Sequence, residues 1–161
     1  MPIATASAVD VLVQATTDVF ETMIFRSIAA QAPIWGHDTR PHSQIVGTVG
    51  FTGSSSGYVS FHASLEAARD VTAAMLGMGD NPDDVVVDAI GEVANMIAGA
   101  FRTRMAAFQA PWAISVPTVT VGSDFYIKPI STGDRVMVGF AMDAHELFVE
   151  LIITPDAEAA V

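Results

Sequence analysis

A chain of 161 residues, 51% of them apolar, with a mean hydropathy of +0.44, can bury one sizeable core, and a single domain over 1–161 is the expectation. Its 18 acids against 7 bases give a net charge of −11, which removes the clustered cations that nucleic-acid contacts need. Cysteine is absent, so disulfides, thiol catalysis and zinc–thiolate sites are excluded, and no apolar run reaches the roughly 18 residues of a membrane span. The start MPIATASAVD lacks a basic region ahead of an apolar run, so no secretion signal is expected and the cytoplasm is the expected compartment.

Residues from about Ser7 to Ala30 read as a first long helix, buried along Val9, Leu12, Thr16, Val19, Phe20, Met23 and Ile24. QAPIWGHDTRPH (31–42) holds two prolines, a glycine and two histidines and reads as an irregular connection. Ile45–Phe51 and Tyr58–His62 are rich in β-formers, with TGSSSG between them as a flexible hairpin loop. Ser64 caps a second helix running to Met78, with Leu65, Ala68, Val71 and Met75 on its apolar side and Gly77 and Gly79 ending it. A third helix follows over 81–105. Beyond Gln109, Ala110 and Pro111, strands are expected at Ile114–Val121, Phe125–Pro129, Arg135–Met142 and Leu147–Thr154. Gly133-Asp134 and Asp143-Ala144-His145 mark turns, and the final PDAEAAV is expected to fray.

The third helix, NPDDVVVDAIGEVANMIAGAFRTRM, organises the chain. Asn81 is placed to cap it, Pro82 suits its first position, and Asp83 and Asp84 lie at the positive end of its dipole. Val86, Ile90, Val93, Ile97 and Phe101 recur every three or four residues as one buried stripe. Asp88, Glu92, Asn95 and Gly99 form a polar stripe opposite, with nothing bulky after Asn95 until Arg102. Gly91 and Gly99 each cost roughly 1 kcal/mol relative to alanine, which points to another backbone coming close, from a packing neighbour or a docked partner.

A faint internal repeat is present. An offset of 71 lays Thr17, Glu21 and Ile24 on Asp88, Glu92 and Asn95, and Val46 on Pro117; YVSFHA meets MVGFAM at an offset of 79. The halves, about 7–62 and 81–154, would each be a long helix followed by antiparallel strands. The expected fold is therefore α+β: a pseudo-twofold domain with an antiparallel sheet of about six strands and two long helices packed on one face.

The spacing Asp88-x3-Glu92-x2-Asn95, with Pro117 after 21 intervening residues, resembles the signature of the CheC/CheX/FliY family of chemotaxis phosphatases, which hydrolyse the aspartyl phosphate of a response-regulator receiver. All four positions match, and length, element order and the EVANMIAGAF run extend the resemblance over most of the chain. Only one copy is intact, since Ile24 and Val46 replace the amide and the proline in the first half, which is similar to the single-site CheX type. The resemblance implies that Asn95 orients the attacking water and Glu92 pairs with the receiver's lysine, with Asp88 supporting Glu92 or touching the partner. Pro117 would shape a strand edge. It also implies a homodimer, a phosphorylated CheY-like receiver as partner, and no cofactor of the chain's own, a divalent cation such as Mg coming with the receiver.

Other candidates are weaker. His37, Asp38 and His42 lie close in a loop and could bind metal, although a His pair in a flexible segment is more often nothing. His62 and His145 sit at strand ends without ligand spacing, and GSSSG lacks the lysine and setting of a phosphate-binding loop. The methionines at 75, 78, 96 and 105 read as core filler, and Phe125 and Tyr126 as edge or subunit contacts. Two rival readings stand beside the phosphatase. One is a non-enzymatic binding module of a chemotaxis or flagellar-switch assembly, which would bury the polar stripe in an interface. The other is a small-ligand sensor, which would need an apolar cavity between sheet and helices.

Overall fold

The computed structural model describes residues 5–108, 111–130 and 133–155. Helix α1 (Thr5–Val19) runs into a π-helical turn (Phe20–Ile24), and two short strands follow, β1 (Ala29–Ala30) and β2 (Ile34–Trp35). The hairpin β3 (Ser43–Thr52) and β4 (Ser55–Ala63) leads into α2 (Leu65–Leu76) and α3 (Asp83–Met105). The chain ends in β5 (Ala113–Ile114), β6 (Thr118–Phe125), β7 (Asp134–Met142) and β8 (His145–Pro155). All strands join one antiparallel sheet: β7, β8, β4 and β3 are consecutive, β1 and β2 pair with β7, and β5 and β6 pair with β3.

The expected six strands become eight among the described residues: β1, β2 and β5, each two residues long and too short to show any periodicity, are added, and the strand expected at Phe125–Pro129 is absent. The order is symmetric about the β4–β8 pair and relates β3 to β7 and β4 to β8. The sequence offsets instead set β3 beside β6 and β4 beside β7, so they do not follow that order.

One face of the sheet carries the helices. Side chains alternate along a strand, so Ile45, Val49, Phe51, Val59, Phe61, Val149 and Leu151 point to one side and are buried there with Leu12, Phe20, Ile90, Ile97 and Phe101. Phe51 stacks on Trp112 at 4.5 Å, and both meet Phe101. Gly47 is what seats α3 on β3: a Cβ there would stand 2.9 Å from the Ala94 Cβ and 3.0 Å from the Ile90 carbonyl oxygen. Arg104 pairs with Asp18 to tie α3 to α1, and Arg69 reaches Asp83 at 3.5 Å to tie α2 to α3.

Several boundaries differ from the expectation. The first helix stops at Ile24, not Ala30: Phe25 turns left-handed at φ 62, and its N–H and that of Arg26 close onto the Phe20 carbonyl. Ala29 and Ala30 pair with β7 instead, a case of sheet pairing overriding helix propensity. Ser64 caps α2 as read, accepting from the Ala67 N–H, and Gly77 closes it at φ 70. Asn81 does not cap α3; its amide donates to the Met78 carbonyl at 2.8 Å, and Pro82 is the cap residue, with no side-chain bond to the first turn. The strand expected at Ile114–Val121 is split where Ser115 exchanges bonds with Gly50 and Pro117 brings no N–H. Residues 126–130 form no strand, and TGSSSG shrinks to a turn at Gly53 and Ser54. Gln109, Ala110 and the last six residues of the expected frayed tail lie outside the described residues.

The other face holds a buried polar group that the sequence reading did not find. Ser60, His62, Arg135 and Glu150 are each 2% exposed or less. Glu150 accepts from Arg135 Nε at 2.5 Å, and His62 Nε2 stands 3.6 Å from its other oxygen. Arg135 Nη1 donates to the carbonyls of Gly36 and Thr39, which holds the segment between β2 and β3 over this face. His62 Nδ1 meets the Ser43 hydroxyl at 3.1 Å. Burial alone pushes the Glu150 carboxyl up, but His62 and Arg135 more than offset it and hold the group below its ordinary 4.5. A depressed carboxyl stabilises the fold fully above the unfolded value and loses that contribution as pH falls through the folded one. Urea midpoints should therefore drop as pH goes below about 4.5, and Glu150→Gln should flatten that drop while lowering the midpoint at pH 7. A slope unchanged by the substitution would contradict this.

Candidate functional site

The predicted buried stripe of α3 is buried, with Val86, Ile90, Val93, Ile97 and Phe101 at 2% exposure or less. That fixes the rotation of the helix and turns the opposite stripe outward. Asp88 and Glu92 are exposed, and Asn95 and Gly99 are partly exposed. Their spacing of four, three and four residues keeps them on one side over three turns. Asp83 and Asp84 in the first turn and Arg102 and Arg104 in the last complement the helix dipole.

Pro117 belongs to the same site by position. It lies just before β6, and a Cβ on Gly91 would stand 3.2 Å from Val119 Cγ2 and 3.8 Å from Pro117 Cγ. Gly91 therefore explains itself as the gap that lets the start of β6 press against α3, one turn before Asn95. Between Gly47 beneath and Gly91 beside, the helix is held closely at the level of the Glu92–Asn95 turn. Binding elements set on rigid, closely packed helices hold their geometry best.

Among the described residues, the side chains of Asp88, Glu92 and Asn95 form no hydrogen bond or ion pair with the rest of the chain. A partly exposed amide and an exposed carboxylate on a rigid helix are placed to engage something external. The amide both donates and accepts, and the carboxylate accepts from a cation.

The remaining candidates resolve differently. His37 Nε2 donates to the Gly133 carbonyl at 2.9 Å while His42 Nδ1 meets Asp124 at 2.9 Å, so the loop histidines serve separate contacts. His145 pairs with Asp70, bridging β8 to α2. Among the described residues no group of three or more His, Asp or Glu is placed to hold a metal ion, and no helix is long and apolar enough to cross a membrane. A cavity of about 590 Å³ lies between α2 and the loop before α3, lined by Glu66, Arg69, Asp70 and Asp80. Its lining is charged and comes from α2 and the loop before α3, unlike the apolar cavity between sheet and helices that a sensor would need. The signal for the His62–Arg135–Glu150 group was a lone charge in each of two apolar strands, RVMVGF and LFVELII, which are neighbours in the sheet.

A helix-backed antiparallel sheet, presenting an acid, a glutamate and an amide on one helix stripe beside a strand-edge proline, places this protein among the CheC-like and CheX-like domains. The family described as chemotaxis phosphatase CheX matches residues 45–141, more than half of the chain, and the chain belongs to that family. A CheX of Thermotoga maritima, described as a CheY-P phosphatase, is 37% identical over 94 residues, which cover 57% of this chain and 60% of that relative's length. The crystal structure of CheX from Desulfovibrio desulfuricans superposes with a TM-score of 0.84 at 26% identity, covering 92% of this chain and 99% of that one. The fold also matches the CheX of Borrelia burgdorferi, solved in complex with CheY, BeF3 and Mg, at a TM-score of 0.78 and 20% identity over 91% of this chain and 97% of that one.

Proposed function

We propose that this protein hydrolyses the aspartyl phosphate of a CheY-like receiver, with Asn95 orienting the attacking water and Glu92 pairing with the receiver's lysine. The observation that carries this reading is the Asn95 amide, partly exposed at the centre of a tightly seated helix and with no bonding partner among the described residues. Membership of the CheX family and a fold neighbour solved with CheY bound support it.

A phosphorylated receiver brings its own divalent cation, such as Mg, and its own lysine, so the phosphatase supplies no cofactor. What hydrolysis still lacks is a water in line with the bond to be broken. The water oxygen bonds to phosphorus as the bond from phosphorus to the aspartyl oxygen breaks, leaving a carboxylate and inorganic phosphate. A neutral amide can hold that water without repelling the phosphoryl oxygens, much as an amide positions water in small GTPases. Glu92 fixes the register of the complex through a charge-assisted bond, Asp88 supports it from one turn back, and Pro117 keeps β6 against the helix.

The contact belongs to the small, transient class, and at a net charge of −11 local pairing must outweigh long-range repulsion from an acidic receiver. The protein acts as a homodimer in the cytoplasm, where receivers work; light scattering tests the dimer. The fold does not wall the polar stripe in: Asp88 and Glu92 are exposed and Asn95 partly so, and their side chains make no bond among the described residues, which suits a site that reaches into a partner. The deciding experiment mixes the protein with several receivers phosphorylated on aspartate and times the loss of label. Faster loss from at least one receiver is expected, and unchanged lifetimes for all would overturn the proposal.

A further inference from the structure

We infer that Gly99 is a docking notch, the place where the receiver's main chain comes against α3 itself so that the amide one turn earlier can enter the phosphorylated pocket; this rests on the phosphatase reading above. Gly36 and Gly77 adopt φ of 98 and 70, which side chains resist. Gly47 and Gly91 are pressed by neighbours that a Cβ would displace. Gly99 has neither reason. It lies in regular α-helix, and a Cβ built on it meets nothing within 4 Å. Alanine would fit there at no internal cost and would favour the helix, so the fold alone leaves this glycine unexplained.

Its position supplies the explanation. Residue 99 is four beyond Asn95 and therefore directly beside it on the stripe. Helical side chains lean toward the N-terminus and cover the turn before their own Cα. Any side chain at 99 would lean over the turn that carries Asn95 and hold an incoming backbone away from it. On the far side of the bare stretch stands Arg102, a cation with no ion pair among the described residues. The notch is thus bounded by the water-holding amide and a free positive charge.

The test compares wild type, Gly99→Ala and Gly99→Leu by thermal unfolding and by kcat and KM on a CheY receiver phosphorylated with acetyl phosphate. Gly99→Ala should raise Tm by roughly 2–4 °C, because nothing inside the fold opposes the better helix former. Its KM should nevertheless rise on the order of tenfold. Gly99→Leu should lose about 10²-fold in kcat/KM, as expected when reacting groups are held about an ångström too far apart, with the loss falling on KM before kcat. If the Leu variant is folded and matches wild type in KM, the inference fails and the phosphatase reading stands. Should the Leu variant not fold, KM of the Ala variant decides in the same way. A wild-type protein that releases no phosphate from any receiver overturns the phosphatase reading first, and this inference with it.

Discussion

Replacing Asn95 with alanine should lower receiver-stimulated phosphate release by about 10²-fold or more, while a receiver carrying BeF3 in place of phosphate still binds within a few-fold of wild type. The amide is partly exposed and has no partner among the described residues, so its removal leaves no buried group unsatisfied and no cavity there. Stability should accordingly stay within ~0.5 kcal/mol, which separates this loss from unfolding. Asn95→Asp is a sharper probe. It keeps the shape but turns a carboxylate toward the phosphoryl oxygens, so it should be no more active than alanine and should weaken binding as well. Glu92→Gln should show the opposite split: weaker binding, with a smaller change in the rate from the bound state, since its proposed role is to fix register. Release at wild-type rates by the alanine variant would remove Asn95 from the mechanism.

The second large effect falls on stability. Arg135→Leu should cost about 3–5 kcal/mol, because it strands the Glu150 carboxylate at 1% exposure without its guanidinium. It also takes the donors from the Gly36 and Thr39 carbonyls. For a chain of this length that corresponds to a Tm lower by roughly 6–20 °C. The double variant Arg135→Leu, Glu150→Leu should recover much of the loss, since an apolar pair of similar volume often replaces a buried ion pair at little cost. Urea unfolding of the two single variants and the double variant closes the cycle. A loss under about 1 kcal/mol in Arg135→Leu would mean that the pair is not desolvated as the geometry indicates.

The parts of this molecule that could be read from sequence are those where one physical demand acts alone. The 3.6-residue recurrence of Val86, Ile90, Val93, Ile97 and Phe101 has a single solution, a helix buried on that side, and it fixes the outward direction of Asp88, Glu92 and Asn95 without any tertiary knowledge. Ser64 and Gly77 likewise bound α2 by local chemistry alone. Reading failed where distant segments decide. Ala29 and Ala30 are good helix formers, but the open edge of β7 takes them as a strand. Asn81 is a good cap residue, but the helix begins at Asp83, so Pro82 takes the cap position and the Asn81 side-chain N–H donates to the Met78 carbonyl. Arg135 and Glu150 look like surface charges on alternating strands until the register sets them side by side under the segment that follows β2. Gly91 and Gly99 look alike in sequence, and only the position of Val119 separates a packing glycine from one the fold does not need.

The strand order carries a consequence for how such a domain tolerates change. The stretch before α2 presents no such stripe: Ile24, at the end of the first helix, is fully buried, and the exposed Glu21 has no amide one turn on. Yet that stretch cannot be discarded, because its Gly47 is the seat of α3 and its two short strands finish the border of β7, while β6 finishes the border of β3 in return. Each half is the other's scaffolding, so a substitution at the border of one half should disturb the helix stripe presented by the other.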